Sequence, residues 1–315
     1  MENFFIIVAI IIFFIIWTFM EQKQFIVKKY EVNHNELPTS FHNTKFVLLA
    51  DLHNHTFGNE NERLIRRIQK LQPEFIIVAG DMIDKHKPCY PSNAYILLEK
   101  LAKEYQIYYA YGNHEQRIEG LQIDNDLEQG IEGSSSGQNP DQIKLQHEIG
   151  STWVKFKEKL SKLGVIFLDN ESIMLSKNKE RIKITGLSIG QEYFQRTGYP
   201  DMNLDYLNSM LGKKQSNLYH ILVAHNPVHF KQYAAWGAEL TISGHLHGGM
   251  ARIPGIGGII SPQVKFFPKY SGGVYSENHK VMVVSRGLGS HSMMPRYFNV
   301  PEVVEITLKR SNINS

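Results

Sequence analysis

Apolar residues fall in short unbroken runs along most of the chain, separated by stretches of helical or loop periodicity. "KFVLLAD" (Lys45 to Asp51) and "FIIVAGD" (Phe75 to Asp81) are continuous apolar runs of strand length. Between them "ENERLIRRIQKL" puts Leu64, Ile65, Ile68 and Leu71 on one helical face. That pattern predicts a βαβ unit. It repeats with the amphipathic "SNAYILLEKLAKEY", whose Ser92 is a natural N-cap, and the strand "QIYYAYGN" (Gln106 to Asn113). From Gln116 to about His147 the period lapses into "EGSSSGQNPDQ"-type composition, which predicts an insertion or lid over residues 116–147. A helix over Trp153 to Leu163 follows. Strands are then predicted at Val165 to Asn170, Ser172 to Ser176, Arg181 to Ile189, Tyr219 to Pro227, Ala238 to Gly249, Val281 to Gly287 and Glu302 to Leu308, so the second half reads as mostly strand.

The N-terminus departs from this pattern. "FFIIVAIIIFFIIWTFM" (Phe4 to Met20) carries no charge, and at the helical rise it spans roughly 26 Å, enough for a thin bilayer. No polar face is left to meet water. A cleavable signal peptide would carry a basic start and a small-x-small site, and neither is present. The expected organisation is a transmembrane anchor over 1–22, a linker and first strand region over 23–44, and a catalytic domain over 45–310. Lys23, Lys28 and Lys29 follow the anchor and no Lys or Arg precedes it, a slight bias toward a cytoplasmic body that leaves the side of the single-pass protein open.

Composition narrows the function. The net charge is +3 over 315 residues and no long Lys/Arg block occurs, so there is no nucleic-acid-binding signature. Cys89 is the single cysteine, which excludes an intramolecular disulfide and a thiolate metal cluster. It is read as an incidental thiol. Oligomeric state has no signature in the chain. Fourteen histidines are a different matter, because several lie in tight pairs.

These histidines and their neighbours sit where apolar runs end: Asp51 and His53 in "ADLHNH", Asp81 in "AGDMID", Asn113 and His114 in "GNHE", His225 in "AHNP", His245 and His247 in "GHLHGG". In open α/β sheets ligand sites form beyond the carboxyl ends of strands, so these side chains converge if the strands share a sheet. Carboxylate, amide oxygen and imidazole together suit Mn²⁺, Fe²⁺ or Zn²⁺. Seven ligands exceed the needs of one ion. Two ions about 3.5 to 4 Å apart need a bridging group, and Asp81 at a tight Gly-Asp corner fits it.

The ordered motifs D-x-H, G-D-x-x-D, G-N-H-E, a lone His and G-H-x-H resemble those of the calcineurin-like metallophosphoesterases, over roughly Lys45 to Leu308. "KKYEVNHNELPTSF", "GHLHGG" with "FFPKYSGGVY", and "SRGLG" with "PRYFNVPEVVEITL" resemble its membrane-anchored or secreted bacterial members. The resemblance implies an α/β fold, a four-layer αββα sandwich with two sheets face to face and helices outside. It implies that Asp51, His53, Asp81 and His247 bind one metal, and that Asp81, Asn113, His225 and His245 bind the other. Manganese is the favoured ion, with iron or zinc as alternatives. His114 is then the residue that stabilises the phosphoryl oxygens or protonates the leaving oxygen, and Asp84 the carboxylate that orients it. The activity implied is hydrolysis of a phosphomonoester, phosphodiester or pyrophosphate by in-line attack of a hydroxide bridging the metals, on a substrate that is lipid-linked, envelope-derived or a nucleotide. Arg286 is a candidate phosphate contact, and so is Arg296. Two departures from the family pattern are Met250 after the HGG and the extra imidazole of His55. A non-catalytic, metal-stabilised scaffold of the same fold is the alternative reading.

Overall fold

The computed structural model describes residues 2–84, 90–120, 140–195, 198, 200–215, 217–253, 255–261, 265–290 and 296–311. Continuous apolar runs become parallel strands because both of their faces are covered. In the first sheet β1 (Ile26–His34) lies beside β14 (Glu302–Arg310), followed by β2 (Lys45–Leu49), β3 (Phe75–Ala79), β4 (Gln106–Ala110) and β5 (Ile166–Leu168). All neighbours are parallel except β14 and β2. The second sheet has the order β12 (Gly273–Glu277), β13 (Lys280–Val284), β9 (Leu240–Ser243), β8 (Tyr219–Ala224), β7 (Glu180–Leu187) and β6 (Ser172–Lys177), parallel from β13 to β7.

The two-residue period of a strand assigns each side chain to a layer. Phe46, Leu48 and Ile77 of the first sheet pack with Ile184, Ile221, Val223 and Ile242 of the second, forming the core between the sheets. Val47, Leu49, Ile76 and Val78 face the other way, onto α2 (Glu62–Leu71), α3 (Asn93–Ala102) and α5 (Pro140–Lys162). On the far side of the second sheet, Leu222 and Ala224 meet α6 (Leu204–Leu211) and α7 (Phe230–Trp236). The result is four layers in the order αββα. Phe46 is fully buried between the sheets, and its truncation to alanine would cost about 3 to 5 kcal/mol.

Local rules explain most of the helices. The amphipathic face read for α2 is the buried one, Leu64, Ile65, Ile68 and Leu71. Ser92 caps α3 by accepting the Tyr95 N–H at 3.1 Å. Most expected strands run two or three residues past the observed ends and the one expected to Gly249 runs six past, whereas those expected to Ser176 and Leu308 stop short of Lys177 and Arg310. The helix expected from Trp153 begins earlier, at Pro140. Of the 116–147 insertion, residues 116–120 belong to a helix, α4, over 113–120, and 140–147 open α5; residues 121–139 lie outside the described residues, as does Cys89. Of the glycine-rich segment at 255–258, residues 255–256 form a turn and 257–258 open β11 (Gly257–Ile260), which pairs with β10 (Ala251–Ile253).

Helix α1 (Glu2–Gln22) is long and apolar enough to cross a membrane, and its described side chains are mostly exposed. By length and composition it fits a membrane span or a signal sequence. Its last turns touch the body: Glu21 accepts the Phe298 N–H at 3.0 Å, and Trp17 lies against the Phe298 ring.

Candidate metal centre

The carboxyl ends of β2, β3 and β4 in one sheet and of β8 and β9 in the other point to the same rim, and each carries its polar residue one to four positions beyond the last strand residue. The chain turns sharply there. Asp51, His53, Asp81, His245 and His247 all have positive φ, between 46° and 71°. Left-handed backbone at non-glycine residues costs energy and persists where surrounding structure enforces it, which marks this rim as built for a purpose. It also ends the strands early.

Three acid and imidazole groups arise from these corners: Asp51, His53 and His247; His53, Asp81 and His114; and Asp81, His225 and His245. Within each, the candidate ligand atoms lie within 4.8 Å of one another. His53 Nε2 is 3.2 Å from His247 Nε2, and His225 Nε2 is 3.2 Å from Asp81 Oδ2 and 3.7 Å from Asp51 Oδ1. His247 Nε2 is 3.6 Å from Asp51 Oδ1. Asp81 Oδ2 also lies 3.9 Å from His53 Nε2 and 4.0 Å from His114 Nε2. Asp81 is therefore the carboxylate common to the second and third groups, as His53 is the imidazole common to the first and second, and every group is buried or half-buried.

The residues fit a metal by an independent criterion. A carbonyl oxygen only accepts, so a ring nitrogen facing one must carry the proton. His225 Nδ1 donates to Ala79 O at 2.5 Å, His247 Nδ1 to Gly289 O at 3.3 Å, and His114 Nδ1 to Ile83 O at 3.2 Å. This fixes the tautomer and leaves Nε2 of His225 and His247, facing the carboxylates, as the lone-pair donor a cation needs. Asn113 Oδ1 is buried with no hydrogen-bond donor among the described residues. A buried amide oxygen left so is costly unless something positive meets it.

The electrostatics agree. Burial pushes the Asp51 carboxyl up to about 7 against the pull of His225. Burial also opposes the charge on Asp81, yet the imidazoles of His225, His114 and His53 hold its carboxyl well below the usual range. Burial, with the neighbouring His53, keeps His247 well below the ordinary imidazole value. His247 is thus held as a neutral donor and Asp81 as an ionised carboxylate, the forms a divalent ion requires, whereas the Asp81 carboxylate raises His225 to about 10 against its burial, so that an ion bound there must displace a proton.

Glu115 is the residue that sequence reading missed. It is fully buried and accepts four hydrogen bonds: at Oε2 from the Asp81 and Gly112 N–H groups (2.8 and 3.0 Å), at Oε1 from the Met82 N–H and the Tyr109 hydroxyl (2.9 and 2.7 Å). His114 N–H in turn donates to Asp81 Oδ1 at 2.9 Å, so the GNHE corner clamps the Asp81 corner from both sides. Gly112 is required, because a Cβ there would overlap Asp81 Oδ1. The signal was present as the fourth letter of the motif, although a Glu after His reads as a surface pair.

Arg286, Arg296 and His55 lie outside these groups. Asp84 follows the Ile83 carbonyl that holds His114, and it is half-buried. Arg286 forks onto the Glu302 carboxylate at 2.6 Å through both Nε and NH2. Buried Arg296 spends its donors on the carbonyls of Asn299, Gly289 and Arg286, a structural role that ties the last loop to the metal-centre rim. His55 Nε2 meets the Gln22 carbonyl at 3.0 Å at the foot of α1.

A family model described as calcineurin-like phosphoesterase matches residues 44–249. Among proteins of Bacillus subtilis (strain 168), the chain is 25% identical to the uncharacterized metallophosphoesterase YkuE over 298 residues, 93% of this chain and 89% of that one. It is 22% identical to the uncharacterized metallophosphoesterase YkoQ over 258 residues, 81% of this chain and 80% of the other. Among solved structures it aligns with the phosphopantetheinyl hydrolase PptH from Mycobacterium tuberculosis at a TM-score of 0.43 and 10% identity, over 78% of this chain and 89% of that chain.

Proposed function

The chain belongs to the calcineurin-like phosphoesterase family, a family of metal-dependent hydrolases acting on phosphate esters, and from that premise we propose that it is a membrane-anchored enzyme with a dinuclear centre. The observation that carries the dinuclear reading is the position of Asp81, whose one carboxylate oxygen is within 4.0 Å of His53, His114 and His225. A carboxylate common to two ligand groups is a bridge. Asp51, His53, Asp81 and His247 would hold one ion; Asp81, Asn113, His225 and His245 would hold the other. Mixed carboxylate, amide and imidazole donors suit manganese, iron or zinc, and manganese is the first to test. When bound, the two ions supply Lewis-acid charge that activates water and offsets the negative charge of the phosphoryl oxygens.

The chain's own residues supply the rest. His114 keeps its Nδ1 proton on the Ile83 carbonyl, so its Nε2, 4.0 Å from Asp81, delivers a second proton only as imidazolium. It is placed to hold a phosphoryl oxygen or protonate the leaving oxygen, with Asp84 as the positioning carboxylate. Glu115 holds the Asp81 and Gly112 backbones fixed, so the carboxylate need not reorganise during the reaction. The substrate would be a phosphomonoester, phosphodiester or pyrophosphate, lipid-linked or envelope-derived. Anchoring is supported by the exposed apolar faces of α1 and its contacts with the body at Glu21 and Trp17.

The test is hydrolysis of paired mono- and bis-nitrophenyl phosphates by the full chain in detergent, stripped and reloaded with Mn²⁺. Turnover should depend on metal, fall about 10²- to 10⁴-fold in His114→Ala, and vanish with metal binding in Asp81→Ala. Two bound metals with no turnover of these esters or of a pyrophosphate would replace the enzyme with a scaffold.

A further inference from the structure

A second charged site lies outside the metal centre. Between β10, β12 and the loop after Pro268 is a cleft of about 610 Å³ whose charged lining residues are Lys28, Arg252, Lys269 and Arg286. Among the described residues no Asp or Glu lines it, and none of the seven candidate metal ligands does. Among the described residues, Arg286 alone of these four has its charge met by an ion pair, to Glu302 beneath it. Arg252 NH1 donates to the carbonyls of Gly248 (2.7 Å) and Ser271 (3.2 Å), which holds the guanidinium in place without neutralising it. Tyr30 and Tyr275 add hydroxyls to the wall. Such a lining selects a phosphate-bearing group.

The rim of the same cleft is apolar and exposed. Ile253 is 41%, Ile256 67% and Phe298 53% exposed, and all three line the cleft. Phe266 and Phe267, 68% and 63% exposed, are joined to this rim through the Phe267 N–H to Ile259 O bond of 2.7 Å. Large apolar side chains beside a cationic cleft match the two layers of a lipid surface, acyl boundary and anionic headgroup. Their place in the molecule agrees, because Trp17 of α1 packs on Phe298 and Phe14 on Tyr297. Those contacts put the rim at the level where the apolar helix meets the body. A second basic cleft, lined by Arg63, Arg66, Arg67 and Lys70, flanks the same helix end, where Arg63 bonds the Lys23 carbonyl at 3.1 Å.

We infer that this face docks on an anionic bilayer, with the β10–β11 turn and Phe298 in the interface and a phospholipid headgroup phosphate in the cleft between Lys28, Arg252 and Lys269. The inference rests on the anchoring reading of α1 and is independent of the catalytic one. Docking fixes the height of the metal centre above the bilayer, since Gly248, whose carbonyl binds Arg252, directly follows the ligand His247. A tethered enzyme that could otherwise swing is thereby aimed at amphiphilic esters.

The experiment uses the full chain with Cys89→Ser and Ile256→Cys carrying an environment-sensitive fluorophore, in nanodiscs of phosphatidylcholine with or without phosphatidylglycerol. Co-elution of protein and disc reports anchoring separately. The expected result is a blue-shifted label, quenched by lipid-borne quenchers, only in discs with phosphatidylglycerol and reversed by salt. Lys28→Gln with Lys269→Gln should reduce the docked-to-undocked ratio about thirtyfold, while Lys28→Arg with Lys269→Arg restores it. A label indifferent to phosphatidylglycerol would overturn the inference, as would equal loss in the arginine pair. So would reversal by glycerol phosphate in solution, which would assign the cleft to a soluble phosphate compound.

Discussion

Glu115 makes no contact with any expected ligand except through the Asp81 backbone, yet its two oxygens receive four donors in a fully buried setting. Glu115→Gln keeps the shape but turns one acceptor into a donor, so at least one backbone N–H loses its partner. The expected cost is about 1 to 3 kcal/mol of stability, with a 10- to 100-fold loss of metal affinity as the Asp81 corner loosens. Isothermal metal titration and thermal melting would read both; affinity equal to the parent's would mean that Asp81 holds its geometry unaided. The same residue shows where sequence reading stops. Asp51, Asp81, Asn113, His225, His245 and His247 were legible because a polar residue ending an apolar strand has no packing reason to be there. Glu115 supports from behind, and its burial becomes visible only when β3 and β4 are placed side by side. Arg286 and Arg296 were read as phosphate contacts from their glycine- and proline-rich surroundings, whereas the fold turns Arg296 inward onto three carbonyls.

Among the elements, β2, β3, β4, β8 and β9 were legible because nearly every residue in them is buried, and the ends of β2, β3 and β9 were overrun because the residues that follow turn into left-handed backbone. β1 was expected only as a first strand region somewhere within 23–44, without bounds: as an edge strand with only Val32 and His34 buried, it lacks an apolar run. α6 and α7 are eight and seven residues long, too short for a helical period to stand out between strong strands. One element carries a titration. His220 on β8 sits with its Nε2 by Thr185 Oγ1 and its ring on Trp236, and burial, followed by the charge of Lys183, lowers its pKa from 6.5 to about 4. Above 6.5 neither state protonates. As pH falls from 6.5 toward 4 the unfolded chain takes up a proton that the folded chain refuses, so stability drops by up to about 3 kcal/mol across that window. Urea unfolding at steps of pH should show His220→Gln losing less over this range than the parent does; parallel curves would remove the assignment.

At the scale of the whole molecule, the candidate ligands divide between the sheets. Asp51, His53, Asp81 and Asn113 leave the first sheet; His225, His245 and His247 leave the second, and the apolar layer between the sheets ends beneath them. Without cations the rim holds the buried carboxylates of Asp51 and Asp81 in one cluster, each raising the demand for a positive partner, and imidazoles, the charge of Arg296 and backbone N–H groups meet it. Ions bound there would join the two sheets as a staple. A ligand at a thousandfold excess over its dissociation constant stabilises a fold by about 4 kcal/mol, which for a chain of this size is a melting shift on the order of 10 °C. Chelation should therefore lower the melting temperature by about that much, and the shift should be absent in Asp81→Asn. The distribution of the loss is the sharper test. If the ions bridge the sheets, hydrogen exchange after chelation must rise together in residues 51–55 of the first sheet and 245–249 of the second, because neither loop keeps its partner when the other lets go. Exchange that rises in one set alone would mean a centre built on a single sheet, with the second sheet's histidines packed against it and not bound into it.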